Sequence, residues 1–479
     1  MKTIIYSFIM LVLLTVMSAV SAEAKVELPP IFADNMVLQQ NADAAVWGKA
    51  KPDAKVVITT TWSKDKTVAQ ADADGKWNAS VATPSAGGPY EITFSDGEKT
   101  VLKNVLIGEV WICSGQSNME MPMKGFAGQP TDGSAELIMG AKKSTLIRSC
   151  KVKRNPSFEV QYEGPATWYD HTPEGVAEAS ATAYFFAKRL YETLDIPIGI
   201  INVSWGGSTI EAWMSKELIG KEFDGCFKMD AHQTKQMPKN PHQTVALLYN
   251  GMLKPIVPFT AKGFIWYQGC SNRNRYELYK GLQTSFVKML RKEWGNENMP
   301  FYFTQIAPYQ YEDPNGVTGG YMMWAQAQTL DMIPNSGMAV THDAGELVCI
   351  HPANKQVVGD RLAYQALYND YGVKGFNPKA PLARKFEFKD GVAYVTIDVD
   401  DLGLSPINMQ LEGFELAGAD KVFYPAKASV TKNRKIIKVE CPEVTDPVAV
   451  RYGMKNWSEA TLFNCFGIPV SPFRSDDWK

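Results

Sequence analysis

The periodicity of apolar positions divides the chain into three stretches. From Lys25 to about Lys103, short β-branched and aromatic runs (Ala45-Val-Trp-Gly48, Val56-Val-Ile-Thr-Thr-Thr-Trp62, Tyr90-Glu-Ile-Thr-Phe94) are separated by turn signals such as Asp74-Gly75 and Asp96-Gly97. A small β-sandwich is predicted there. From Gly108 to about Tyr371, strands alternate with helices. Val110-Trp-Ile-Cys113 reads as a strand, and Ala183, Phe186, Ala187, Leu190 and Leu194 fall at helical spacing within 177–194. Ile196-Pro-Ile-Gly-Ile-Ile-Asn202 then reads as a buried strand, and Gly263-Phe-Ile-Trp-Tyr267, an amphipathic 276–294 and Phe301-Tyr-Phe-Thr-Gln305 repeat the alternation. This is the pattern of a parallel sheet covered by helices. Beyond Pro378, two strand-like runs, 385–389 and 392–397, flank the hairpin signal Asp390-Gly391, and 435–439 and 448–452 are further strand candidates. The expected fold class is α/β: a three-layer α/β/α domain over 105–378, with a β-rich N-terminal domain at 25–104 and a β-rich C-terminal region at 379–479.

Composition narrows the function classes. The 479 residues are 45% hydrophobic with a net charge of -2 and no long basic block, so a nucleic-acid partner is not expected. Lys2, the apolar run 4–16 and the small residues near Ala22 read as a signal peptide over 1–24, which predicts a secreted or periplasmic protein with no stable membrane insertion after cleavage. That run is short for a bilayer span. Seven cysteines without a CxxC spacing argue against zinc, and their pairing cannot be read from sequence. No close histidine pair, Walker A motif or Rossmann glycine fingerprint is present, so neither metal nor nucleotide cofactor is expected.

Four features stand at the ends of predicted strands. Ser117 follows Val110-Trp-Ile-Cys113 through the turn-forming Ser114-Gly-Gln116. Ser204-Trp-Gly-Gly-Ser208 offers backbone N–H groups, Gln268-Gly-Cys-Ser-Asn272 an amide donor, and His351 follows Val348-Cys-Ile350. Together they supply a nucleophile, a base and oxyanion donors, the set that ester hydrolysis needs. Each alone is weak, because most serines and asparagines are surface or turn residues.

The chain resembles the sialate O-acetylesterases of the SGNH hydrolase superfamily. The resemblance runs from Phe32-Ala-Asp-Asn-Met-Val-Leu-Gln39 through Ser114-Gly-Gln-Ser-Asn-Met119, Ser204-Trp-Gly-Gly207, Tyr249-Asn-Gly-Met252 and Trp266-Tyr-Gln-Gly269. It continues to Ile350-His-Pro352 with Asn354-Lys355, Val450-Arg-Tyr452 and Pro472-Phe-Arg474. It implies an SGNH-type fold, an O-acetylated carbohydrate substrate and an acyl-enzyme formed on Ser117 with His351 as base. Ser117 N–H, Gly207 N–H (or that of Gly206) and the Asn272 side chain would form the oxyanion hole. The aspartate that relatives carry two or three residues before the histidine is replaced by Cys349 or Val348, so a Ser-His dyad is expected, with Asp343 as the candidate orienter and Glu346 or a backbone carbonyl as the alternatives. Cys270 stands where the family often has glutamate, and a buried thiol packed under the loop is expected. Gln268, Arg273 and Arg275 are the candidate substrate-binding residues, an arginine fork suiting the carboxylate of a sialic acid. The alternatives are an esterase of acetylated xylan or another plant polysaccharide, and a non-catalytic glycan-binding protein on the same scaffold. His342 is expected to be an ordinary core or loop histidine. Oligomeric state is open.

Overall fold

The computed structural model describes residues 25–407 and 409–478, and the signal peptide expected at 1–24 lies outside the described residues. The N-terminal strands are β1 (Val37–Gln39), β2 (Asp43–Lys49), β3 (Lys55–Thr60), β4 (Lys66–Gln70), β5 (Lys76–Ala82), β6 (Gly87–Ser95) and β7 (Lys99–Gly115). β7 belongs to two environments. Its first half runs antiparallel to β6 and mixes exposed with buried positions, whereas from Val105 onward every residue is buried. There it lies between parallel partners with both faces covered, which is why the sequence turns into an unbroken apolar run. The strand passes the expected domain boundary at 104/105 without a break.

The central strands are β8 (Ile147–Val152), β9 (Ala166–Tyr169), β10 (Ile198–Ser204), β11 (Gly263–Tyr267), β12 (Phe301–Thr304) and β13 (Ser336–Ala339), arranged β13-β12-β11-β7-β10-β8-β9. Neighbours are parallel except β8 with β9. The main helices are α1 (Ala181–Leu194), α2 (Tyr276–Glu293), α3 (Thr318–Gln328) and α4 (Lys355–Asn369). Strand side chains alternate between two cores. Trp111, Ile265 and Tyr302 pack with Phe186, Leu190 and Leu362 of α1 and α4, while Ile112, Phe264 and Phe303 pack with Phe286, Leu290 and Met322 of α2 and α3. A period of two on a doubly covered sheet gives the three layers.

α1 begins at Ala181 and not at 177, because Ser180 caps it by accepting the Ala183 N–H. Asp390 and Gly391 both take positive φ (53° and 77°) and join Leu382–Lys389 to Val392–Asp398 as expected of an Asp-Gly hairpin. The C-terminal region consists mainly of two four-stranded antiparallel sheets that share a core including Val395, Ile437, Leu416 and Tyr452. Val348-Cys-Ile350 is not a strand. It lies on the loop between β13 and α4, with Val348 74% exposed and without a sheet partner. All seven cysteines are unpaired. Among the described residues no helix is long and apolar enough to cross a membrane.

Candidate active site

β10 and β11 flank β7 on opposite sides, so the order of connections reverses at β7, and in such sheets ligands bind beyond the carboxyl end of the strand at that point. β7 ends there at Gly115. Its φ is +140°, and a Cβ on it would meet the Tyr267 carbonyl oxygen at 2.2 Å, so only glycine lets the chain leave the sheet so close to β11. Gln116 donates its N–H to that same carbonyl at 2.9 Å, and the chain enters a single helical turn, Ser117–Glu120. Ser117 is the first residue of this turn. Its N–H, like other N–H groups that open a helix, has no intrahelical acceptor.

A cavity of about 420 Å³ opens at this point, and Ser117 and His351 both line it, with Gln116, Glu120, Phe126 and Arg154 around them. His351 is carried by the loop before α4, and its Nδ1 lies 2.6 Å from Oε1 of Gln129. With a carbonyl oxygen as acceptor, Nδ1 must carry the proton and Nε2 keeps its lone pair. The Phe126 ring packs edge-on against the imidazole at 5.3 Å. Burial, and then the nearby Lys355, push the His351 pKa down to about 4. Among the described residues neither Ser117 Oγ nor His351 Nε2 has a hydrogen-bond partner.

The loop after β10 supplies backbone donors. Glu120 accepts the Gly206 N–H at 2.7 Å through Oε2 and is gripped by Arg154 through two contacts of 2.8 Å. Gly206 is thereby committed, whereas Gly207 N–H finds no acceptor among the described residues. Gly207 lines the cavity.

Four expected site residues stand elsewhere. Asp343 does not reach His351: its carboxylate takes a bidentate bond from Arg361 at 2.6 and 2.7 Å, and Gln129 occupies the orienting position. Asn272 is buried outside the cavity lining. Its Nδ2 donates to Glu211 at 2.9 Å, and its Oδ1 accepts from Ile210 N–H and Gln268 Nε2. Gln268 is wholly buried in the same network, bonded also to the Ser208 carbonyl and Tyr279, so it cannot touch substrate. Arg275 is drawn away by Glu211, a carboxylate buried next to it at 2.6 Å. Arg273 does line the cavity. It lies 4.8 Å from the Tyr311 ring and donates to the Cys270 carbonyl at 3.2 Å. Cys270 is a buried thiol under this loop, held by the Tyr311 hydroxyl at 3.1 Å and pushed up in pKa by burial. His342 is buried against Tyr452 and Ser458.

Sequence reasoning missed Gln129, Glu120 and Arg154. Gln129 has no periodic signature and lies 222 residues from His351. The only hint is its place in a tight Gly-containing turn, closed by mutual bonds between Phe126 and Gln129, shortly after Ser117. Arg154 had a clearer signal, a cation two residues beyond the carboxyl end of β8.

A doubly covered parallel sheet with a serine and a histidine facing one cavity beyond its central strand has the architecture of an ester hydrolase. Residues 107–367 match the family described as carbohydrate esterase, sialic acid-specific acetylesterase. The chain belongs to that family, and it is an esterase. A carbohydrate acetylesterase from Xanthomonas citri is 33% identical, with a TM-score of 0.85 over 95% of this chain and 100% of that one. Mouse sialate O-acetylesterase is 26% identical over 89% of each chain, and the human enzyme is 29% identical over 74% of this chain and 73% of its own.

Proposed function

We propose that this esterase removes acetyl groups from O-acetylated sialic acid through an acyl-enzyme on Ser117, with His351 as general acid and base. The observation that carries the mechanism is the shared cavity, which Ser117 and His351 both line while Gln129 engages Nδ1 and leaves Nε2 as the free ring nitrogen. Nε2 takes the hydroxyl proton as Oγ attacks the acetyl carbonyl. Ser117 N–H and Gly207 N–H donate to the oxyanion. His351 then protonates the departing sugar oxygen, and a water deprotonated by the same Nε2 attacks the acetyl-enzyme to release acetate. Gln129 fixes the tautomer as an aspartate would, but a neutral amide adds no negative charge to stabilise imidazolium.

The sugar reading rests on Arg273 and on the family. Arg154 already has its charge matched by Glu120, whereas the described residues give Arg273 no carboxylate partner. A sialic acid carboxylate would supply one. Export rests on the features of residues 1–24 and on the carbohydrate substrate.

Acetate release from O-acetylated sialic acid and from acetylated xylan by wild type, Ser117→Ala and His351→Ala tests this reading. Release from the sialic substrate should vanish in both variants. Arg273→Met should raise KM for that substrate roughly tenfold, the worth of one charge-assisted hydrogen bond, and leave acetylxylan untouched. Preference for xylan with no Arg273 effect would overturn the sialic part, and activity surviving in Ser117→Ala would overturn the mechanism.

A further inference from the structure

Beneath the cavity, two buried side chains join the turn that carries Ser117 to the loop that carries His351. Asn118 follows Ser117 and is 2% exposed, and Lys355 opens α4 and is 1% exposed. Asn118 donates through Nδ2 to the Ile350 carbonyl at 3.0 Å and accepts at Oδ1 from Lys355 Nζ at 2.6 Å. The same ammonium donates to the Pro352 carbonyl at 2.7 Å. The carbonyls on either side of His351 are therefore both tied to the residue next to Ser117. Asn118 is itself anchored through its own carbonyl, which accepts from Thr182 Oγ1 of α1 at 2.9 Å.

A buried ammonium is an expensive way to join two loops. Its hydrogen-bond acceptors here are neutral oxygens, and an apolar side chain of similar volume would cost less desolvation. We propose that Lys355, acting through Asn118, is a positioning residue for ester hydrolysis: it sets the separation of Ser117 from His351 and keeps a positive charge beside the imidazole. This rests on the reading of Ser117 and His351 as nucleophile and base. The charged and titratable groups facing Lys355 are Cys349 and Glu346 from the preceding loop, Cys270 from the loop after β11, and His351 itself. The Glu346 Oε1 is engaged by the Ala353 N–H at 2.6 Å. Burial pushes the Lys355 pKa down to about 7, and burial together with Lys355 holds His351 near 4. Between these values the amine is charged while the imidazole is neutral, the form in which Nε2 can accept a proton.

The test is steady-state kinetics across pH for Lys355→Met, Asn118→Ala and the double variant, with Ser117→Ala alongside and melting temperature as the check on folding. Lys355→Met should lose about 10–100-fold in kcat with KM nearly unchanged, the signature of a misplaced reacting pair. Its acid limb in kcat/KM should move to higher pH, because the charge that disfavours imidazolium is gone. The double variant should lose no more than the worse single, since both residues form one clasp. A folded Lys355→Met with near-normal kcat and an unmoved acid limb would overturn the proposal. Should that variant fail to fold, Asn118→Asp keeps the acceptor for Lys355, loses the donor to Ile350 and neutralises the amine, so it too must lower kcat and raise the acid limb. Normal kinetics in Asn118→Asp would overturn the clasp. Inactive Ser117→Ala with fully active clasp variants removes only this inference, whereas active Ser117→Ala removes the site reading beneath it.

Discussion

His351, the base in the proposed mechanism, has no carboxylate behind it, and that single substitution of partner has measurable consequences. Gln129 accepts the Nδ1 proton at 2.6 Å, which orients the ring, but the imidazolium gains no ion pair, and burial then holds its pKa near 4. A histidine base acts only when neutral, so with His351 in that proposed role activity is lost as pH falls through that pKa. The acid limb of kcat/KM should therefore lie near pH 4 to 5, well below the ordinary histidine range. Gln129→Glu places a carboxylate against Nδ1 and should shift that limb upward by about one to two pH units. Gln129→Leu leaves the tautomer unfixed and should cost roughly 100-fold in kcat. A wild-type limb near 6.5 that Gln129→Glu leaves in place would contradict this account.

Among the secondary elements, the site depends on how β7 ends and on how the neighbouring helices begin. Gly115 has no room for a Cβ against the Tyr267 carbonyl, and its φ of +140° is closed to other residues. Gly115→Ala should cost at least about 2 kcal/mol in denaturant unfolding, and because the turn bearing Ser117 must move, esterase activity should fall in the protein that remains folded. Ser180→Ala removes the cap of α1 and a weak 3.7 Å hydrogen bond to Met119 Sδ, and should cost about 1 kcal/mol with kcat intact. Equal loss of activity in both would mean that the geometry of Ser117 is not set at the strand end.

Across the whole molecule, the C-terminal region braces the wall of the cavity. Asn456 accepts the Gly319 N–H at 2.7 Å and donates to the Tyr311 carbonyl at 2.9 Å, and Tyr311 in turn holds Cys270 beside Arg273. Gln305, just past β12, donates to Ser471 at 2.7 Å. His342 is buried in this junction, and burial pushes its pKa down to about 4. The unfolded chain binds that proton first as pH falls below about 6.5, so the stability contributed by neutral His342 is whole above 6.5 and is lost on the way down to 4. The amount is roughly 3 kcal/mol. Melting temperature should accordingly fall more steeply between pH 7 and 4.5 in wild type than in His342→Gln. Parallel declines would show that other groups govern acid unfolding.

Local pattern was enough for the layers of the fold and for picking out Ser117 and His351, which the fold brings to one cavity. Period-two and helical spacings depend on which faces are buried, and Ser117 and His351 lie in motifs short enough to read directly. Hairpins such as Asp390-Gly391 are set by backbone preferences of adjacent residues. Partnership over long separations was not legible in the same way. Asp343 and Gln129 were both chemically able to hold His351, and only the folded loops decided that Arg361 takes the first while the second meets the imidazole. Gln268, Asn272 and Arg275 follow the right strand but are drawn into the network around buried Glu211, because a carboxylate enclosed by protein must find donors wherever the chain brings them. Strand positions follow from burial along the chain, whereas hydrogen-bond partners follow from which groups the completed fold removes from water together.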